Sequence, residues 1–295
     1  MIKSELDALK AMVSAQRNLV TRLATSTDAI VARLAAAVPT PEPAPAPVPS
    51  TVVWSDNFQT EPDYYKWSFF PVCQNSANSI PSGTLGSDAA GASLSRVRDP
   101  AGGTGWAIRH YLDSAAGGYR AQMSLASWTL APFGTQLAKG EVWIEQEMYI
   151  PAPMPTAGDS DAWLSIQDFH SHGANGENWH HSHPALMLGS PVMGRQPGQL
   201  VARNFQNNIF SAPTVNTVPL NRWFRLQVHL PWRTTVVPVK YYIDGTQVVQ
   251  INMVTKAIDH VQLEWMSKWY GAGVWSPRPL IRYTRNVRIG SGFLS

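Results

Sequence analysis

The sequence predicts a mainly β protein, two antiparallel sheets packed face to face, preceded by an N-terminal coiled-coil helix. Three observations carry this. Residues 1–37 hold no Gly, Pro or aromatic residue and space their apolar side chains at intervals of four and three. Residues 38–50 place proline at nearly every second position. From Thr51 onward all twelve tryptophans appear, in short alternating stretches broken by Gly and Pro.

Taken in order, the first segment reads as heptads. Leu6, Val13, Val20, Thr27 and Leu34 occupy a positions and Ile2, Leu9, Gln16, Leu23 and Ile30 occupy d positions. A seam so sustained predicts self-association, and Gln16 and Thr27 within it would fix register and strand number at a cost in stability. The expected product is a parallel homo-oligomer, a trimer. A lone amphipathic helix docked on its own domain would use the same residues. "VPTPEPAPAPVPS" then forbids helix and sheet ladders and favours polyproline II, a spacer that could hold two bodies about 40 Å apart.

The domain expected over residues 51–295 is built from strands. In "RWFRLQVHLPW", Phe224, Leu226, Val228 and Leu230 alternate with Arg225, Gln227 and His229. In "VKYYIDGTQVVQINM" the Asp244-Gly245 pair between two strand-like runs predicts a hairpin. "EVWIEQEMYIP" sets Glu141, Glu145 and Glu147 opposite Val142, Ile144 and Met148. No comparable helical periodicity interrupts the series, so a two-sheet antiparallel jelly roll is the expected architecture.

Composition narrows the function classes. A net charge of +3 without a Lys/Arg block argues against a nucleic-acid partner, which requires dense phosphate neutralisation. The one cysteine, Cys73, cannot form an intrachain disulfide. No run of eighteen apolar residues exists, and heptads with acidic residues stand where a signal peptide would carry an apolar core. The expectation is cytoplasmic synthesis without a signal peptide, and no membrane insertion.

"WLSIQDFHSHGANGENWHHSHP", Trp163 to Pro184, holds five of the eight histidines. It opens as a strand and continues as a loop, since Gly, Asn and Pro break every period. The spacing of His170, His172, His180, His181 and His183 matches no zinc-ligand motif and no Asp or Cys completes a set, so neither a metal nor another cofactor is expected. The wall of a ligand groove is the preferred reading.

Four landmarks follow one another: "GGYRAQMSLAS", then "WLSIQDFHSH" with "HPALML", then "NRWFRLQVHLPW" with "YYIDGTQVV", and finally "KWYGAGVWSP" with "YTRNVRIGSG". Their order resembles that of the jelly-roll polysaccharide lyases of the heparinase I and alginate lyase type, over roughly Trp54 to Gly292. The resemblance implies a concanavalin A-like sandwich whose groove binds an acidic polysaccharide. Arg120 matches the arginine of the family's R-S-E strand, Gln167 the glutamine of Q-x-H, and His170 approximates its histidine. β-Elimination needs a neutralised carboxylate and a base at the sugar ring. Arg120 and Gln167 would supply the first, and His170 or a tyrosine such as Tyr270 the second.

Three departures from the family pattern favour a binder over an enzyme. The acidic partner of R-S-E is Gln122, the family lysine falls on Gly271, and the proton-transfer tyrosine falls on Trp275. "QDFH" is also one residue longer than Q-x-H, so Gln167 and His170 share a face only through a bulge. The expected glycan-binding residues are Arg120, Gln122, Gln167, His170, His172 and Trp275. Stalk, spacer and β domain together suggest the spike or fibre of a virion or phage-like particle, joined at its N-terminus to other particle proteins and binding host surface polysaccharide. The alternatives are an active polysaccharide lyase and a structural decoration protein without a ligand.

Overall fold

The computed structural model describes residues 12–22, 26, 51–59, 69–75, 86–126, 131–154, 156–157, 163–172, 179–180, 184–189, 195–204, 209–211, 214, 217–256, 260–270, 275–276 and 278–292. The chain divides into two compact units, Met1–Glu42 and Pro43–Ser295. The division falls inside the proline-rich segment.

In the first unit, residues 12–22 form a helix, α1, exposed along its length. Val13 and Val20, one heptad apart, are 44% and 67% exposed, and Met12 and Leu19 are each 60% exposed. Apolar side chains lie open along the heptad positions of this single chain.

The second unit is an antiparallel two-sheet sandwich. The first sheet contains β1 (Thr51–Asp56), β3 (Gly86–Ser87), β4 (Ala92–Arg98), β5 (Trp106–Leu112), β7 (Glu141–Tyr149), β14 (Trp223–Pro231), β15 (Val236–Ile243), β16 (Thr246–Val254) and β19 (Leu280–Ser291). Its order is β16-β15-β14-β7-β19-β5-β4-β3, with β1 on the far half of β19. The second sheet contains β2 (Phe69–Asn75), β6 (Gly118–Ala126), β9 (Trp163–His172), β10 (Trp179–His180), β11 (Pro184–Leu188), β12 (Leu200–Asn204), β13 (Ile209–Phe210) and β17 (His260–Tyr270). It runs β13-β12-β11-β9-β17-β6-β2, with β10 on β9. A separate pair joins β8 (Thr156–Ala157) to β18 (Trp275–Ser276). The chain passes repeatedly from one sheet to the other, as in a jelly roll.

Period 2 explains the core. Val142, Ile144 and Met148 of β7 and Phe224, Leu226, Val228 and Leu230 of β14 meet Ala121, Met123 and Leu125 of β6 and Leu164, Ile166 and Phe169 of β9. Each large apolar side chain so buried contributes about 1.5–3 kcal/mol relative to exposure. The Asp244-Gly245 hairpin forms as expected: both residues have positive φ, 49° and 83°, as a tight turn matching the strand twist requires. Asp244 also accepts from the Arg225 amide at 2.9 Å and from Arg222 at 2.8 Å.

The outward face of the first sheet is a lattice of partnered charges. Glu145 accepts from Gln227 and from Arg288 Nε, each at 2.9 Å, while Glu147 accepts from Arg285 at 2.7 Å and Asn286 at 2.9 Å. Arg285 also reaches Asp99 at 2.5 Å and lies 4.0 Å over the Trp223 ring.

Two expectations need correction. A helix, α2 (Ala131–Ala138), does interrupt the strand series. At eight residues, about two turns, it is too short to display a period, and it is closed by Gly140 at φ 79°, whose amide donates to the Leu137 carbonyl at 2.7 Å. The histidine-rich segment is not all loop either. Trp179 and His180 fold back onto His172 and Ser171 as β10.

Candidate functional site

Three of the four landmarks meet at the centre of the second sheet, where β9, β17 and β6 are adjacent in that order. On β6, Ala121 and Met123 belong to the core, so Arg120 and Gln122 stand on the face turned away from it. On β9, Ser165 lies between the core residues Leu164 and Ile166 and takes the same outward phase. Next to it on β11, Met187 alternates with the core residues Leu186 and Leu188. Ser165, Gln122 and Met187 are nevertheless buried, so this face is sheltered.

A bulge, the one condition under which Gln167 and His170 could share a face, is present in this strand. Register shifts on both sides of β9, between Ser165 and Gln167 against β11 and between Ser165 and Asp168 against β17. Core residues Ile166 and Phe169 are three apart, so the alternation changes phase at Gln167. Gln167 itself is buried and stands opposite Leu186. Among the described residues its Oε1, the Ser165 Oγ and the Arg120 Nε have no hydrogen-bond partner.

Strand register then decides which candidates meet. Arg120 pairs with Lys268 of β17, and Lys268 pairs with Ser165 of β9, making one rung across three strands. Gln122 pairs with Met266, level with the bulge that holds Gln167. With strands about 4.8 Å apart, the backbones of Gln122 and Gln167 lie roughly 10 Å from each other, across β17. His170 pairs with Gln262, itself opposite Ala126. From the Arg120 rung to the His170 rung is therefore about 17–20 Å along the strands at some 3.3 Å per residue. Tyr270 pairs with Trp163, beyond Arg120 on the side away from His170.

The catalytic set implied by the resemblance is thus divided along the sheet. Arg120 and Tyr270 lie toward one end, Gln122 and Gln167 at the middle, and His170 and His172 toward the other. "KWYGAGVWSP" is not one strand: β17 ends at Tyr270, and Trp275 belongs to β18, paired with Ala157 of β8. Trp275 therefore lies outside the second sheet. The side chains of His170, His172, Tyr270 and Trp275 fall outside the described residues, as do the other histidines of the segment.

Two residues of the central rung escaped the sequence reading. Ser165 stands two positions before Gln167 in a strand whose phase was unknown, and Lys268 was passed over because the family's lysine position was sought three residues later. Their register with Arg120 depends on the bulge, which residue spacing alone does not locate. The arrangement offers two cationic positions, Arg120 and Lys268, beside neutral donors and acceptors. That is a set suited to holding an oxyanion and hydroxyls.

No protein-family model and no curated protein sequence matches this chain. Among solved structures the fold is similar to alginate lyase vAL-1 from Chlorella virus, with TM-score 0.47 and 12% identity over 82% of this chain and 100% of that one. It is also similar to a GH131 β-glucanase catalytic domain from Podospora anserina, with TM-score 0.47 and 15% identity over 83% and 98% of the two chains. A GlcNAcα1-4Gal-releasing endo-β-galactosidase from Clostridium perfringens matches with TM-score 0.48 and 9% identity over 87% and 67%. At such identities and scores, neither activity nor ligand follows from the likeness.

Proposed function

We propose that the β domain binds an acidic polysaccharide on the outward face of the second sheet, without cleaving it. The observation that carries this reading is the central rung Arg120–Lys268–Ser165, with Gln122 and Gln167 beside it. Arg120 Nε, Ser165 Oγ and Gln167 Oε1 are sheltered without hydrogen-bond partners among the described residues, which is costly unless they find partners. The hydroxyls and carboxylate of a uronate-containing chain would supply them. The separation of His170 from Arg120 favours binding over β-elimination, because proton abstraction and carboxylate neutralisation must occur on the same ring.

The chain as a whole is read as a spike or fibre of a virion or phage-like particle. In this reading residues 1–37 form a homo-oligomeric stalk, a trimer, residues 38–50 a stiff spacer, and residues 51–295 the host-polysaccharide receptor. Other particle proteins would hold the N-terminus. The exposed heptad residues Val13 and Val20 support the stalk. Several receptors on one stalk would multiply weak sugar contacts. An array of neutral and uronate-containing polysaccharides, probed with the full chain, tests this. Binding confined to acidic glycans, with no unsaturated uronate released, is expected. Release of unsaturated product would make the protein a lyase, and failure to bind any glycan would leave a structural role.

A further inference from the structure

A second cationic site lies at the edge of the first sheet, away from the landmark strands. A pocket of about 380 Å³ opens where the turn after α2 meets the chain leaving β14 and β16. That volume is at the lower end for a small-molecule site. Leu137 and Trp232, 3% and 6% exposed and both part of the core, form its apolar floor. Lys139, Arg233 and Lys256 surround the floor, one from each of three connections.

The connections are tied together by backbone bonds. The Trp232 amide donates to the Gly140 carbonyl at 2.9 Å and the Lys256 amide to the Arg233 carbonyl at 2.8 Å. Arg233 Nη1 donates to the Gly140 carbonyl and, at 3.0 Å, to that of Trp232. Gly140 has φ +79°, and a Cβ built there would collide with the Arg233 guanidinium. Only glycine permits both the turn and this placement of Arg233. Glu141 lies 3.5 Å from Arg233 and 2.5 Å from His229 Nε2.

We infer that this pocket binds one acidic monosaccharide unit, its ring over Leu137 and Trp232 and its carboxylate among Lys139, Arg233 and Lys256. The apolar floor suits the C–H face of a pyranose, and the cations suit a single oxyanion. An inorganic anion would use only the cations and a neutral sugar only the floor. The site is independent of Arg120 and of the second sheet.

Calorimetric titration of the full chain with D-glucuronate, glucose and inorganic sulfate, at constant ionic strength, tests the inference. Glucuronate is expected to bind saturably and at least tenfold more tightly than either control. Lys139 is exposed, so Lys139→Gln leaves the fold intact; it should weaken glucuronate at least threefold, and Lys139→Gln with Lys256→Gln at least tenfold. The titrations are made in the Arg120→Ala background, so that the glucuronate binding read is that of this pocket and not of the second sheet. Absence of saturable binding, equal affinity for sulfate or glucose, or full affinity in Lys139→Gln would each overturn it.

Discussion

Arg282 of β19 and His110 of β5 stand opposite each other inside the sandwich, and each donates across it to a backbone carbonyl of the second sheet. Arg282 Nη1 bonds the Ile166 carbonyl at 2.7 Å and His110 Nδ1 the Ala121 carbonyl at 3.3 Å. Ala121 follows Arg120 and Ile166 follows Ser165, so two polar ties from the first sheet end directly beneath the proposed binding rung. Both donors are buried, and among the described residues no carboxylate pairs with Arg282. Burial lowers the Arg282 guanidinium to about 9. Burial, and then the charge of Arg282, hold His110 well below its ordinary 6.5, while its bond to Ala121 opposes this only in part.

The His110 depression predicts loss of stability toward acid. Below 6.5 the unfolded histidine takes up a proton that the folded one does not, so folded protein is progressively disfavoured until the pH reaches the folded value. The expected slope from this one group is about 1.4 kcal/mol per pH unit. Urea unfolding between pH 7.5 and 5, compared with His110→Gln, measures it. The wild-type excess slope should vanish in the variant.

Arg282→Met removes the buried charge while keeping the stem's volume. Desolvation of the guanidinium is expected to outweigh its one charged hydrogen bond, worth about 1.5–3 kcal/mol, so the variant should gain about 1–2 kcal/mol. The His110 pKa, followed by NMR, should move upward in the same protein. A loss of stability with no movement of His110 would show that the tie to Ile166 dominates.

The β15–β16 turn offers a stability test far from either site. Asp244→Ala removes acceptance from the Arg225 amide and places alanine at positive φ, and is expected to cost about 1–2 kcal/mol. Chemical denaturation measures it.

Much of the fold was legible because strand alternation and turn chemistry are local. Phe224 to Leu230 and Asp244-Gly245 announced β14 and the hairpin, since residues two apart must share a face. Spacing named a bulge only as a condition for Gln167 and His170 to share a face, and neither its presence nor its place was legible, because register depends on two neighbouring strands at once. The separation of Arg120 from His170 and the exit of Trp275 to β18 are for that reason visible only in the structure. The Lys139–Arg233–Lys256 pocket was hidden in another way. Its cations come from three connections distant in sequence, one of them following a helix too short to show a period.

The proposed stalk is open to a direct test. Sedimentation of the full chain should give an oligomer, expected to be a trimer, and Val13→Asp with Val20→Asp should yield folded monomer, since both exposed a-position residues would then carry charge. A wild-type monomer at tens of micromolar would remove the stalk from the account.

The proposed glycan site is the rung of Arg120, Lys268 and Ser165, and titration of a uronate-containing oligosaccharide into wild type and Arg120→Ala measures what the guanidinium contributes. Performed in a chain already carrying Lys139→Gln, the measurement reports the second sheet with the other pocket weakened. Loss of a charged hydrogen bond should weaken binding by about 1.5–3 kcal/mol in a protein with unchanged melting temperature. Undiminished affinity in Arg120→Ala would contradict the account and place the glycan elsewhere.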